Sequence, residues 1–239
     1  MFSFKGISAK SMSLRVLNNV VFNSPSRDTN LIHVPGRNGN LVKDNGRYGD
    51  VLRSIPCRLE SSRENVEQMV SKIHHWLVKD VGYHEFLWHG DADFVYSARV
   101  DSNSVSRRRL TGLADTFIDF QLYPIKYLRS SMVEREIDNG RVLVNSMELD
   151  AKPLVRIIGT GLVVLTVDDK IMEINIPENA GGCVIDSETR IITSLDGKTA
   201  LFRNARGEYP VLAVGNNVVL WSGANDVQVF VTPRLGALV

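Results

Sequence analysis

Five histidines, two cysteines and several closely spaced carboxylates are the residues of this chain whose types could do chemistry. The histidines are His33, His74, His75, His84 and His89. None forms the Cys/His pair spacing of a zinc site. His74 and His75 are adjacent, and neighbours on a helix point about 100° apart, so they do not face one ion together. Cys57 lies between Pro56 and Arg58. A thiol beside a guanidinium is a nucleophile when its pKa falls; a small buried residue is the competing reading, and the lack of a histidine context favours it. No Gly-x-Ser-x-Gly elbow is present. Asp168, Asp169, Asp186 and Glu188 could supply the paired acid and base of glycoside hydrolysis. They sit at expected turns and strand ends, where aspartate serves the backbone. Gly36-Arg37-Asn38-Gly39 and Gly159-Thr160-Gly161 lack the following helix and the Lys-Ser/Thr of a phosphate loop. The expectation is therefore no catalytic residue, no cofactor and no metal ligand, hence no enzyme.

What remains is contact chemistry. The stretch 34–50 packs Pro35, Gly36, Asn38, Gly39, Asn45, Gly46 and Gly49 around Arg37, Lys43, Arg47 and Tyr48. Turn formers shape a backbone, and a solvated linker has no need of such a mixture. Arg107-Arg108-Arg109 follows a polar run from Ser102 to Ser106 and reads as a flexible, charged loop: a solvated loop tip is the first reading, and contact with a polyanion or an acidic partner surface is the competing one. The whole chain, at net charge +1, has no global drive toward nucleic acid or anionic lipid, so any such contact is local.

The elements that must carry these residues are mostly strands. Phe2 and Phe4, a turn at Gly6, then Leu14, Val16 and Val20 to Phe22 suggest a hairpin turning at Asn18-Asn19. A loop over 35–50 precedes a strand from Val51 to Leu59, in which Pro56 argues for an edge or a bulge. A helix is expected over about 61–79: Ser61 and Glu64 have capping-box spacing, and Val66, Met69, Val70, Ile73 and Leu77 form one stripe. Tyr83 to Val100 reads as a hairpin around Gly90-Asp91, 101–109 as a loop, and Gly112 to Tyr123 as a strand stopped by Pro124. Beyond about residue 131 aromatics thin out. Short aliphatic runs then alternate with turn signals at Gly159–Gly161, Asp168-Asp169, Asn179–Gly182, Asp196-Gly197, Gly215–Asn217 and Gly223–Asn225, the pattern of an antiparallel β-sandwich. The fold class is mainly β: an N-terminal β-barrel or sandwich with one packed α-helix over 1–131, and a second antiparallel sandwich over 132–239. No apolar run reaches the roughly 18 residues of a membrane span. The two cysteines, far apart, fit a reducing cytosol rather than a disulfide scaffold.

In this order the motifs carry a resemblance. Phe4-Lys5-Gly6, Pro35-Gly36-Arg37-Asn38-Gly39, Trp76-Leu77 near the end of the helix and Tyr123-Pro124 resemble the N-terminal half of the distal tail protein family of long-tailed bacteriophages. Pro153 before Leu154–Ile158, Ile185-Asp186-Ser187-Glu188, Glu208-Tyr209-Pro210, Trp221-Ser222-Gly223 and Val231-Thr232-Pro233-Arg234 are similar to that family's galectin-like second domain.

The resemblance implies a virion structural protein at the tail tip, made and assembled in the host cytoplasm. It implies a homo-hexameric ring whose N-terminal domains surround a channel, with the galectin-like domains outward. The partners implied are the tail tube protein, the tape-measure protein, the tail-tip hub or fibre protein and a receptor-binding protein, with DNA only in transit and no membrane. Arg37, Arg47, Tyr48, Arg107, Arg108 and Arg109 become candidate subunit contacts. The alternative is a carbohydrate-binding protein for host-surface recognition, acting through the second sandwich. Asn175, Arg190, Asn204, Glu208 and Trp221 offer sugar-binding types there, although that half contains no histidine.

Overall fold

Phe2 and Phe4, two residues apart, put both rings on one side of an extended strand, and the first unit is built on that side. The structure, a computed structural model, describes residues 1–17, 20–60, 66–100, 106–108, 113–223 and 226–239. It divides into two units, Met1–Lys126 with Leu238–Val239, and Tyr127–Ala237.

In the first unit the strands are β1 (Phe2–Phe4), β2 (Ile7–Ser8), β3 (Leu14–Val16), β4 (Arg27–Ile32), β5 (Leu41–Tyr48), β6 (Val51–Glu60), β7 (His84–Trp88), β8 (Phe94–Val100), β9 (Ser106–Arg108) and β10 (Leu113–Leu122). The unit boundary falls within β11 (Ile125–Leu128). The main sheet runs β2-β1-β7-β8-β10-β6-β3. Its pairings among the described residues are antiparallel, and the β10–β6 ladder is the longest, from Leu113↔Glu60 to Leu122↔Val51. The helix α1 (Val66–Val78) buries Ile73, Trp76 and Leu77 in the core and half-buries Met69 and Val70 against it. The capping pair Ser61/Glu64 lies outside the described residues.

The core is aromatic. The Phe120 ring lies 5.4 Å from Phe2, 5.3 Å from Phe4 and 4.9 Å from Phe86, at angles between tilted and edge-on, the arrangement that ring quadrupoles favour. Trp76 Nε1 donates to the Phe4 carbonyl at 3.1 Å, tying α1 to β1.

Three expectations change here. Leu14–Val16 pairs with β6 rather than with β1, which pairs with β2 and β7; Asn18-Asn19 lies outside the described residues. Pro56 is internal, between β10 and the end of β3. Leu17 N donates to Pro56 O, and on a strand the N and O of one residue point the same way. The missing proline donor therefore falls on the last rung of the β3–β6 ladder, and no bond to β10 is lost. The stretch 35–50 is a hairpin arm rather than one loop, since β4 and β5 form a separate two-stranded sheet. Its strands are exposed along their length, so no half-buried alternation marked them.

The second unit has strands β12 (Arg135–Ile137), β13 (Arg141–Asn145), β14 (Leu154–Ile158), β15 (Gly161–Val167), β16 (Lys170–Ile176), β17 (Gly182–Asp186), β18 (Ile191–Ser194), β19 (Ala205–Gly207), β20 (Gly215–Gly223), β21 (Gln228–Thr232) and β22 (Gly236–Leu238), whose Leu238 counts with the first unit. Strands β12 to β21 form two five-stranded antiparallel sheets, β12-β21-β14-β17-β18 and β13-β20-β15-β16-β19, and β22 belongs to neither. Val155, Ile157, Ile185 and Val229 of one sheet and Val163, Leu165, Ile174 and Val219 of the other share one buried cluster, which makes the unit a sandwich. Gly215–Asn217, expected as a turn, opens β20 instead. Asn217 is fully buried and its amide donates to Ala213 O at 2.8 Å and Gly215 O at 3.0 Å. Within 198–202, whose aliphatic run suits a strand, the only pairing among the described residues is one isolated bridge, Thr193↔Ala200.

Phe120→Ala removes the ring that touches Phe2, Phe4 and Phe86. It should destabilise the first unit by about 3–5 kcal/mol, read as a lower urea midpoint. In the second unit, Arg234 Nη1 lies 2.8 Å from Asp186 Oδ1. Burial alone would raise the Asp186 pKa, but the Arg234 hydrogen bond and charge, with the Thr189 and Glu188 amides, hold it below the ordinary 3.8. A depressed carboxylate stabilises fully above 3.8 and loses that contribution as pH falls through its folded value. Asp186→Asn should therefore flatten the acid side of the stability–pH curve below about pH 4, measured by thermal melts.

Candidate interaction surface

The β4–β5 ribbon divides along its length. Near its base Arg47 Nε sits 2.5 Å from Asp28 Oδ2, Arg27 Nε 2.8 Å from Asp44 Oδ2, and Arg27 Nη1 donates to the Tyr48 hydroxyl at 2.9 Å. The Arg47 hydrogen bond, with help from Asn45, holds the Asp28 carboxyl below its ordinary range. The Gly46 amide, then Arg27, does the same for Asp44. These pairs are exposed, and each is worth little alone. Their geometric effect is to staple β4 to β5 across a register irregularity between Arg27 and Thr29.

Toward its tip the ribbon becomes apolar. Leu31 faces Val42 and Ile32 faces Leu41; successive pairs point to opposite faces, so both faces are apolar there. Leu31 is 64% exposed, Val42 60%, Leu41 44% and Ile32 43%. An isolated two-stranded hairpin is marginal in water, and aliphatic side chains this open gain from being covered. The connecting turn spans 33–40, where Gly36 and Gly39 adopt φ of 81° and 78° that a side chain would oppose.

The segment leading into the ribbon is held by an unusual anchor. Arg53 on β6 is only 2% exposed, and its Nε and Nη1 have no hydrogen-bond partner among the described residues. Its guanidinium carbon lies 4.6 Å from the Phe22 ring and 5.3 Å from the Tyr96 ring. Burial pulls its pKa down from 12.5, yet a guanidinium stays charged. Cation–π contacts, about 2 kcal/mol on the buried Tyr96 ring and about 0.5–1 kcal/mol on the exposed Phe22 ring, replace part of the lost hydration. Phe22 also meets Trp88 edge-on at 6.0 Å, and Asn23 Nδ2 donates to Leu52 O at 2.8 Å. Beneath Arg53 the Tyr96 hydroxyl donates to Asp91, and Lys126 Nζ sits 2.7 Å from the same carboxylate.

The residues singled out from sequence fall as follows. Arg37 lies in the exposed tip turn. Arg47 and Tyr48 are on β5, engaged within the ribbon. Arg107 and Arg108 lie on β9, whose backbone pairs with Asp115 and Ala114 of β10, where a loop was expected; Arg109 lies outside the described residues. Cys57 and Cys183 are buried and free, and burial pushes both thiols up to about 12, which makes them poor nucleophiles. Among the described residues no group of three or more His, Cys, Asp or Glu is placed to hold a metal. Asp168 accepts the Val218 amide at 2.8 Å, and Asp186 is engaged with Arg234. Of the sugar-binding types, Asn175 and Asn204 lie together and Trp221 lies apart from them. Asn175 is exposed on the outer face of β16, beside Asn204, whereas Trp221 pairs with buried Leu165 and packs toward the core. Glu208 is bound to Lys170 at 2.7 Å. The apolar tip was missed by sequence reasoning; its trace is the pair of dipeptides Leu31-Ile32 and Leu41-Val42 flanking a Gly/Pro/Asn turn.

No family model matches the chain, and no curated protein matches it. Among solved structures it is similar to SPP1 Dit, described as a paradigm of the hub adsorption apparatus in phages that infect Gram-positive bacteria. The TM-score is 0.74 at 12% identity, over 99% of this chain and 98% of that one. A chain of the phage p2 baseplate in its activated conformation with Sr is similar at a TM-score of 0.52 and 8% identity, over 92% of this chain and 90% of that one. At these identities the likeness is one of fold, and it runs through both units of the chain.

Proposed function

We propose that this chain is a structural distal tail protein of a long-tailed phage. Six copies form a ring at the tail tip. It joins the tail tube, with its tape-measure protein, to the hub or fibre and a receptor-binding protein, and leaves a channel for DNA. The observation that supports this most is the likeness to SPP1 Dit along essentially the whole of both chains. The role is mechanical: both thiols are buried, and Asp168 and Asp186 serve the backbone and an arginine. A net charge of +1 suits a channel that releases DNA rather than holding it. The first unit forms the ring, the galectin-like second sandwich faces outward, and assembly takes place in the host cytoplasm before the protein resides in the virion.

A homo-ring needs a heterologous contact whose rotation closes. The β4–β5 ribbon supplies one side of it. Its Leu31, Ile32, Leu41 and Val42 tip is covered by the neighbouring copy, with Arg37 at the turn. Arg47 and Tyr48 hold the ribbon in shape at its base, and Arg107–Arg109 make a second contact.

The test is the mass of the purified full chain by light scattering, with negative-stain images. Wild type should give six-fold rings at high concentration. Val42→Glu with Leu31→Glu should give protomers with an unchanged circular dichroism spectrum, because the substituted positions are more than half exposed in the single chain. A wild-type chain that shows no ring, alone or with its tail tube protein, overturns the ring. Rings that persist in the double variant remove the ribbon from the contact.

A further inference from the structure

The helix α1 has a second face that neither the core nor the ring argument uses. Lys72 and His75 stand one turn apart on its exposed side, and Lys79 lies one residue past its end, its amide bonded to the His75 carbonyl. Opposite them is the β1–β2 hairpin, whose two-residue turn Lys5-Gly6 has both φ angles positive, at 51° and 72°. That is the hairpin turn whose twist matches the strands. It brings Lys5 to the end of the helix, where Nζ donates to the Trp76 carbonyl and to Asp80, each at 3.3 Å. Between hairpin and helix runs an open groove of about 660 Å³, floored by Ile7, Met12 and the edge of Trp76.

The groove is charged in one direction. Lys5, Lys72 and Lys79 line it, and Asp80 is its one lining carboxylate, already engaged by Lys5. Among the described residues the ammonium groups of Lys72 and Lys79 have no ion-pair or hydrogen-bond partner. Ile7 is 36% exposed beside them. An apolar floor under a rim of three lysines and one carboxylate is complementary to a segment that is acidic at its edges and apolar at its centre. Lys72 and Lys79 are seven positions apart, roughly 10 Å at the helical rise, which matches about three residues of extended chain.

We propose that this groove docks a short acidic segment of a partner protein, anchored by one or two large apolar side chains over Ile7 and Met12, with flanking carboxylates on Lys72 and Lys79. Nucleic acid fits less well: single strands bind by stacking bases on open aromatic faces, and Trp76 is 6% exposed with its ring stacked on Phe2. The inference does not rest on the ring, and its assay scores binding rather than assembly.

The probe is a fluorescein-labelled peptide of glutamates around a central Leu-Phe pair, titrated with the full chain by anisotropy. Its control is the same peptide with lysine for glutamate. The acidic peptide should bind, and Lys72→Glu with Lys79→Glu should weaken it about tenfold or more. Ile7→Ser should weaken it at every salt concentration, while added salt should weaken wild-type binding. Ile7, Lys72 and Lys79 are all surface positions, and thermal melts verify the fold of each variant. Equal binding of the lysine peptide, or affinity untouched by the double reversal, overturns the proposal. So does tighter binding of single-stranded DNA or phosphatidylserine vesicles than of the acidic peptide.

Discussion

The hydrogen bond from the Trp76 indole to the Phe4 carbonyl is the constraint on which the first unit turns. It fixes the described helix against β1, a strand of only three residues that is bordered by the two-residue β2. So short a strand has little ladder of its own. Its place is secured from above by the indole and from inside by Phe2 and Phe4, which reach the Phe86 and Phe120 rings. Once β1 is fixed, the Lys5-Gly6 turn falls beside the helix end, where Lys5 occupies a carbonyl that has no partner within the helix. The groove is thus a by-product of how the core closes.

Arg53 plays the corresponding part for the ribbon. A buried guanidinium with two unpartnered nitrogens is a poor stabiliser, since removing a charge from water costs several kcal/mol. The exposed Phe22 ring that stacks on it explains why the arrangement persists. Phe22 shields the cation, and the cation holds the coil that carries the ribbon. A leucine at position 53 would pack as well against Tyr96 without attracting an aromatic ring to the surface. The buried charge therefore defines where the ribbon begins, which an aliphatic core would leave open.

Much of this was legible in the chain. The stripe Met69, Val70, Ile73 and Leu77 marked the helix, and the alternation Phe117 to Leu122 marked β10, because each element buries one face. The ribbon was read as a loop because it buries neither face; with no inside, a strand has no period. Pro56 was placed at an edge because a local rule cannot see that β3 runs out beside it. The same limit hid Asn217, whose amide gathers the carbonyls of its own loop, so a turn signature became the start of a strand. Asn139 is a further case: its side chain exchanges both hydrogen bonds with the Trp221 backbone, at 2.8 and 2.9 Å, and stands in for a strand residue. Such partners are distant in sequence and leave no spacing to read. The candidate contacts show the same division. Arg37, Arg47 and Tyr48 stood out for their charge and setting, while the apolar tip between them did not.

The two exposed surfaces differ in kind, and this bears on how one small protein could hold several partners without confusing them. The ribbon tip is aliphatic on both faces, and its arginines nearer the base are already paired. Burying it draws on the hydrophobic effect, about 25 cal/mol per Å², which kosmotropic salts strengthen. The helix groove carries three lysines against one carboxylate over a smaller apolar floor, so its attraction is screened within about 10 Å at moderate ionic strength. A contact made by the tip is indifferent to the sign of its partner's charge and needs shape. A contact made by the groove selects the sign first and tolerates loose shape. Both sit on one sheet framework, the ribbon entering through Phe22 on Arg53 and the groove arising from Lys5 on Trp76. Occupying one therefore need not disturb the residues that form the other.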